Sequence, residues 1–170
     1  MLLQHVEAMA PPSPASIVKF PKPSQALRLI RRARRLKTGD VAAAMGIGKR
    51  SYEYLEAGVG PVDLGRIKAF ADFTDADFLA ICVAPLINSP EFALRASGNK
   101  LTTAFLIALQ EFDQTVGDDI AQLDASSCIA AFNLAFEQLT IEARRRAAVR
   151  DALSADRLGQ APGGPGKEEE

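Results

Sequence analysis

The sequence predicts an all-α chain, and three observations carry the prediction. Ala, Leu and Arg dominate over β-branched and aromatic residues, the aromatics making up only 6%, a balance that favours helices. Apolar residues recur at helical spacing, and capping residues, Gly and Pro cut the chain into short segments. No segment reads as a β-strand and no repeat is present. At 170 residues, with 48% hydrophobic residues and 20 bases against 21 acids, the chain has room for one domain or two small ones with a buried core. No apolar stretch approaches the ~18 uncharged residues of a membrane span. The N-terminus lacks a basic region ahead of an apolar run, so no secretory signal is expected.

Residues 1–23 carry Pro11, Pro12, Pro14, Pro21 and Pro23 and no periodicity, so they read as a mobile arm. Ser24 is placed to cap a first helix to about Leu36. Thr38 starts a second, ending near Met45 before Gly46. A third runs from about Lys49 to Glu56 and stops at Gly58, where a left-handed end needs glycine. Asp63 caps a fourth helix to about Ala71, and Thr74 with the acids after it caps a fifth to about Ala84. Ser89, Pro90 and Glu91 give a cap, a first-turn proline and a first-turn acid, opening a short helix that ends at Gly98.

Asn99 caps a longer helix with the stripe Leu101, Phe105, Ala108, Leu109, Phe112 and Val116. Leu106 and Ile107 point away from that stripe, which predicts either a helix sandwiched within a bundle or one packed on another subunit. After Gly117 a helical turn over 118–123 leads to a last long helix behind Asp124. Its stripe of Ile129, Phe132, Phe136 and Leu139 is expected to face a core, and Arg144, Arg145, Arg146 and Arg150 mark a charged end. The stretch from Gly159 reads as a disordered tail.

The net charge of −1 conceals a division. Between Ser24 and Phe70 there are ten bases against four acids; between Ala71 and Ala143 there are two bases against eleven acids. A basic block followed by an acidic one implies two surfaces with different partners, the basic one suited to a polyanion. One histidine, His5 in the arm, argues against histidine general-base chemistry and a histidine metal site. Cys82 and Cys128 lie apart among apolar residues, outside any metal-ligand spacing, as expected of buried thiols in a reducing cytoplasm. Asp118 with Asp119, and Asp75 with Asp77, are close carboxylates, but acids at helix starts are ordinary partners of the helix dipole. The glycines at 58–61 lack the Lys-Ser/Thr of a phosphate loop. No enzyme, metal or cofactor is expected.

Five short helices within some 60 residues predict a compact DNA-reading bundle. The second and third are joined through MGIG, where Gly46 permits a tight turn and Ile47 plugs the core. In such a unit the second helix crosses the phosphate backbone and the third offers its N-terminal side chains to the major groove. That N-terminus is Gly48, Lys49, Arg50 and Ser51. Lys and Arg suit guanine O6 and N7, Arg with two bonds at once. Helical geometry turns Tyr52 and Leu55 inward and Lys49, Arg50, Glu53 and Tyr54 outward. Glu53 is placed to accept from cytosine N4 or to orient Arg50, and Tyr54 to touch a thymine methyl or a phosphate. Arg28, Arg32 and Arg35, spaced by four and three, fall on one face of the first helix as phosphate contacts.

The stretch LRLIRRARRLKTGDVAAAMGIGKRSYEYLEAG, with IKAFADF and TDADFL after it, resembles the Cro and phage-repressor type of helix-turn-helix, the XRE family. GIGKRSYEYLEAG fits that family's third-helix pattern without a gap. The resemblance implies a five-helix DNA-binding bundle over 24–84 and a sequence-specific duplex-DNA-binding regulator. It implies that Arg31 and Glu56 form a structural ion pair between the first and third helices. It also implies phosphate contacts at the helix N-termini around Thr38 and Gly48. The family's usual Gln is Thr38 here, and Lys37 replaces its usual Thr or Ser.

Residues 85–158 are expected to form a small acidic helical bundle for dimerisation or partner binding. FALRASGNKL and QEFDQTVGDDI resemble the C-terminal part of some alphaproteobacterial XRE regulators tied to prophage-like loci or gene transfer agents. That resemblance implies contact with RNA polymerase or a co-regulator as well as a homodimer, in a cytoplasmic, nucleoid-associated protein. The rival reading is an antitoxin-like or scaffold module on the same fold, with the acidic helices as its working surface.

Overall fold

The computed structural model describes residues 21–59 and 61–159. The predicted arm and tail, with His5, lie outside them apart from residues 21–23 and 159. Among the described residues the chain is all helical. In order these are α1 (Ser24–Ala33), α2 (Thr38–Ala44), α3 (Lys49–Glu56), α4 (Leu64–Phe73), α5 (Phe78–Val83), α6 (Pro90–Ser97), α7 (Leu101–Val116), a 3-10 turn (Gly117–Gln122) and α8 (Ala125–Gly159). The chain divides into two compact units, the first ending at Phe112 and the second starting at Asp113.

The first unit closes on Leu27, Ile30, Val41, Tyr52, Ile67, Phe70 and Ile81, all fully buried. Its short helices end alike. The chain turns through a left-handed residue, and the next N–H returns to a carbonyl five residues back: Leu36 to Arg31, Ile47 to Ala42, Val59 to Tyr54 and Ala76 to Ala71. This satisfies the orphan carbonyls and reverses the chain within three residues. Gly46 and Gly58 adopt the turn at φ of 66° and 77°, whereas Arg35 and Asp75 adopt it with a Cβ, at 56° and 46°.

Three expectations about helix ends change here. The first helix ends at Ala33 rather than Leu36, because Arg35 takes the left-handed position that sequence reasoning reserves for glycine. Arg35 therefore leaves the helical register that placed it beside Arg28 and Arg32. Ser24 is the first helical residue behind Pro23, not the cap. Thr74 is not the cap of α5: it ends α4, buried, with its hydroxyl donating to the Phe70 carbonyl at 2.8 Å. The cap is Asp77, only 1% exposed.

Asp77 serves two helices. Its Oδ1 accepts from Leu79 N at 3.1 Å at the start of α5 and from the Thr103 hydroxyl at 2.9 Å. Its Oδ2 accepts from Thr102 N at 2.9 Å and Thr103 N at 3.2 Å at the start of α7. A buried carboxylate is tolerated because these donors replace its water. Nearby, Lys100 Nζ pairs with Asp75 Oδ1 at 2.8 Å. With α6 packed on both α1 and α5, these bonds carry the first unit past Ala84, where the family resemblance sets the end of the bundle, to Phe112.

The stripe Ile129, Phe132, Phe136 and Leu139 does not face a core in the second unit: these residues are 59%, 48%, 54% and 49% exposed. Phe105, Leu106, Ile107, Leu109 and Phe112 of α7 are also exposed.

Replacing Asp77 by Ala leaves two helix starts uncapped, one in the reading module and one beyond it. It should cost about 2–4 kcal/mol in urea unfolding of the full chain. A loss within ~0.5 kcal/mol would mean that water replaces the carboxylate at both ends.

Candidate nucleic-acid interface

The second and third helices are joined by a turn at Gly46 that brings Ile47 against the core. Gly48, extended and exposed, stands at the N-cap of α3. The inner side of α3 buries Tyr52, Leu55 and Glu56, leaving Lys49, Arg50, Ser51, Glu53 and Tyr54 exposed on its outer side. The 3.6-residue period produces this division, with apolar or paired groups spaced at three and four.

On the outer face, Arg50 Nε donates to the Tyr54 hydroxyl at 3.1 Å, and its guanidinium lies 5.6 Å from that ring's centroid. Tyr54 thus holds the cation along the helix rather than leaving it to sample all rotamers. Lys49 Nζ sits 3.8 Å from Glu53 Oε1, with both side chains at least half exposed, a weak pair that a stronger acceptor displaces. A hollow of about 190 Å³ runs alongside, lined by Ile47, Ser51, Tyr54, Leu55, Pro61, Asp63 and Arg66.

The position of α3 is fixed from behind. Arg31 forks onto Glu56 through Nε to Oε1 at 2.7 Å and Nη2 to Oε2 at 2.9 Å, while its Nη1 donates to the Leu36 carbonyl at 3.2 Å. The fully buried Tyr52 donates its hydroxyl to Glu56 Oε1 at 2.7 Å. Burial pushes the Glu56 carboxyl up, but Arg31, Tyr52 and Arg28 outweigh it and hold its pKa below the ordinary value. The Tyr52 hydroxyl is pushed well up, first by burial and then by the carboxylate it serves. The Glu56 hydrogen bond raises Arg31, with burial opposing it. Sequence reasoning places Tyr52 in the core but misses its bond to Glu56; the four-residue spacing on one helix was the available signal.

The basic residues read as phosphate contacts, taken together with Lys22, separate into two groups. Arg28 is half-buried and donates Nη2 to the Glu56 carbonyl at 2.5 Å. Lys22 Nζ donates to the Gly58 carbonyl at 2.8 Å. Both cations therefore sit at the C-terminal end of α3, where carbonyls and the helix dipole attract them. Arg32, Arg35 and Lys37 are exposed, and Thr38 is half-exposed at the first position of α2. Among the described residues no cluster of His, Cys, Asp and Glu could hold a metal ion, and no helix is long and apolar enough to cross a membrane.

Residues 24–78, about a third of the chain, match the family described as helix-turn-helix domain. The match takes in α1 to α4 and the first residue of α5. No curated protein and no solved structure matches the chain. The chain therefore carries a helix-turn-helix domain, the module of DNA-binding regulators in general.

Glu56→Ala leaves Arg31 and the Tyr52 hydroxyl facing an empty acceptor site and should lower stability by about 3–5 kcal/mol; a loss below ~1 kcal/mol would make the pair a solvent-exposed one. Because Glu56 titrates lower in the folded chain than in the unfolded one, its contribution is complete above the ordinary value of 4.5. It disappears as pH falls through the lowered folded value. Urea midpoints should therefore drop on acidification below about pH 4.5, and Glu56→Gln should flatten that slope.

Proposed function

We propose that this chain is a sequence-specific, duplex-DNA-binding transcription regulator of the XRE type, acting in the cytoplasm on the nucleoid. The observation that carries the reading is the outer face of α3, where five polar side chains stand exposed at the leading end of a helix braced from behind. Lys49 and Arg50 would take guanine O6 and N7, Ser51 and Glu53 the neighbouring base edges, and Tyr54 a thymine methyl or a phosphate. The bond from Arg50 to Tyr54 supports a guanidinium held ready for a planar, two-bond contact, at a lower ordering cost on binding.

Arg32, Arg35, Lys37, Thr38 and the amide side of Gly48 supply the phosphate clamp in this reading, and exposure is what such a role needs. Arg28 adds charge to the same region while one of its nitrogens holds the end of α3. The hollow beside Tyr54 and Arg66 gives a backbone or a methyl group room between α3 and α4.

The exposed apolar helices beyond Phe112 favour a protein partner: a second copy, RNA polymerase or a co-regulator. A homodimer would place two reading helices on half-sites one turn apart. The same exposed helices favour, as a second reading, an interaction module of the antitoxin or scaffold kind with weak DNA binding. The exposed pair Lys49 and Arg50 at the tip of α3 argues for the first reading.

The two readings separate on one pair of substitutions. Lys49→Ala with Arg50→Ala should lower affinity for the preferred duplex by about 100-fold or more, to the non-specific level, with helical content unchanged. Preference retained in that variant would assign base reading to another element. Arg32→Ala should weaken all duplexes alike and reduce the salt slope of binding by about one; an unchanged slope would return Arg32 to the solvated surface.

A further inference from the structure

We infer that α8 pairs with α8 of a second copy, antiparallel, with the two helices crossing near Phe136. The inference deepens the dimer named above and rests on that part of the proposed function alone, not on DNA binding.

Three observations point to this occupant. The first is area. Ile129, Phe132, Phe136 and Leu139 repeat at three and four along one side of α8, and each is about half exposed. At about 100 Å² each they present about 400 Å² of apolar surface per copy, the size of the largest patch on an ordinary monomer, which is often an interaction site. Two copies supply about 800 Å². At the usual apolar fraction this corresponds to about 1,300 Å² of total interface, within the range of specific dimers.

The second observation is spacing. The alternation of three and four is the seam of a two-helix contact, and it extends to Ala143, a small residue that fits opposite a phenylalanine.

The third is charge, which sets the direction. The acids Asp118, Asp119 and Asp124 precede the stripe, and Arg144, Arg145, Arg146 and Arg150 follow it. Arg145 and Arg146 share Glu142, at 39% side-chain exposure, and Arg150 pairs with Asp151, so a net positive charge remains at this end. Antiparallel helices crossing at Phe136 bring Arg146 and Arg150 of one copy level with residues 122–126 of the other, beside its Asp124. A parallel pair would set eight arginines side by side. Like charges at that distance repel, and the acids would have no opposite charge to meet.

The test uses the full chain without DNA, so it reports on the pairing whether or not the base-reading proposal holds. Sedimentation equilibrium over about 1–100 μM should give the mass of two chains, and Phe136→Glu should weaken association by about tenfold or more with the circular dichroism unchanged. Geometry is read by crosslinking in a Cys82→Ser/Cys128→Ser background. Phe136→Cys should form a disulfide with its mate across helices about 8–10 Å apart. Ile129→Cys should not, because antiparallel pairing separates the two sites by about 21 Å along the axis. A single-chain mass throughout, or association indifferent to Phe136→Glu, would overturn the proposal. Equal crosslinking from Ile129→Cys would replace it with a parallel pair.

Discussion

The Glu56 carboxylate is the point on which the reading module depends. It stands at the last residue of α3 and takes two bonds from Arg31 and one from Tyr52, so α1 and α3 are joined by charge as well as by apolar contact. Arg31 also holds the Leu36 carbonyl, which fixes the turn into α2 at the same time. Such a network is costly to desolvate and costlier to leave half-made. What it contributes beyond packing is direction: three planar or short groups have few arrangements that satisfy all of them. The outer face of α3 inherits its orientation from the inner one.

Asp77 performs a comparable task at the other end of the first unit. One buried carboxylate satisfies the first amides of both α5 and α7, so the start of α7 is tied to the bundle that carries the reading helix. Lys100 and Asp75 add a second tie beside it. The module is therefore larger than the helix-turn-helix itself, and α6, packed on α1 and α5, belongs to its support.

Much of this was legible in the sequence because the signals are local. The bounds of α3, the left-handed Gly46 and Gly58, the Asp63 cap and the inward turn of Tyr52 and Leu55 follow from spacing and from what glycine and aspartate do to a backbone. The errors have local causes too. Arg35 and Asp75 take left-handed turns without glycine, so spacing alone makes the first helix too long and Thr74 look like a cap. Asp77 resembled one more first-turn acid, because its second set of donors lies 25 residues away. Arg28 is spaced as a phosphate contact, and its bond to the Glu56 carbonyl is one that spacing does not reveal. The stripe on α8 was legible as apolar, but periodicity does not say whether the surface that covers it belongs to the same chain.

Whether α3 reads base sequence is tested most directly by genome-wide recovery and sequencing of DNA crosslinked to the tagged protein in its own cells. Sharp peaks that share a motif, arranged as two half-sites about one helical turn apart, are the predicted result. Diffuse or absent enrichment from a folded, expressed chain would contradict the account and leave the exposed helices, not α3, as the working surface.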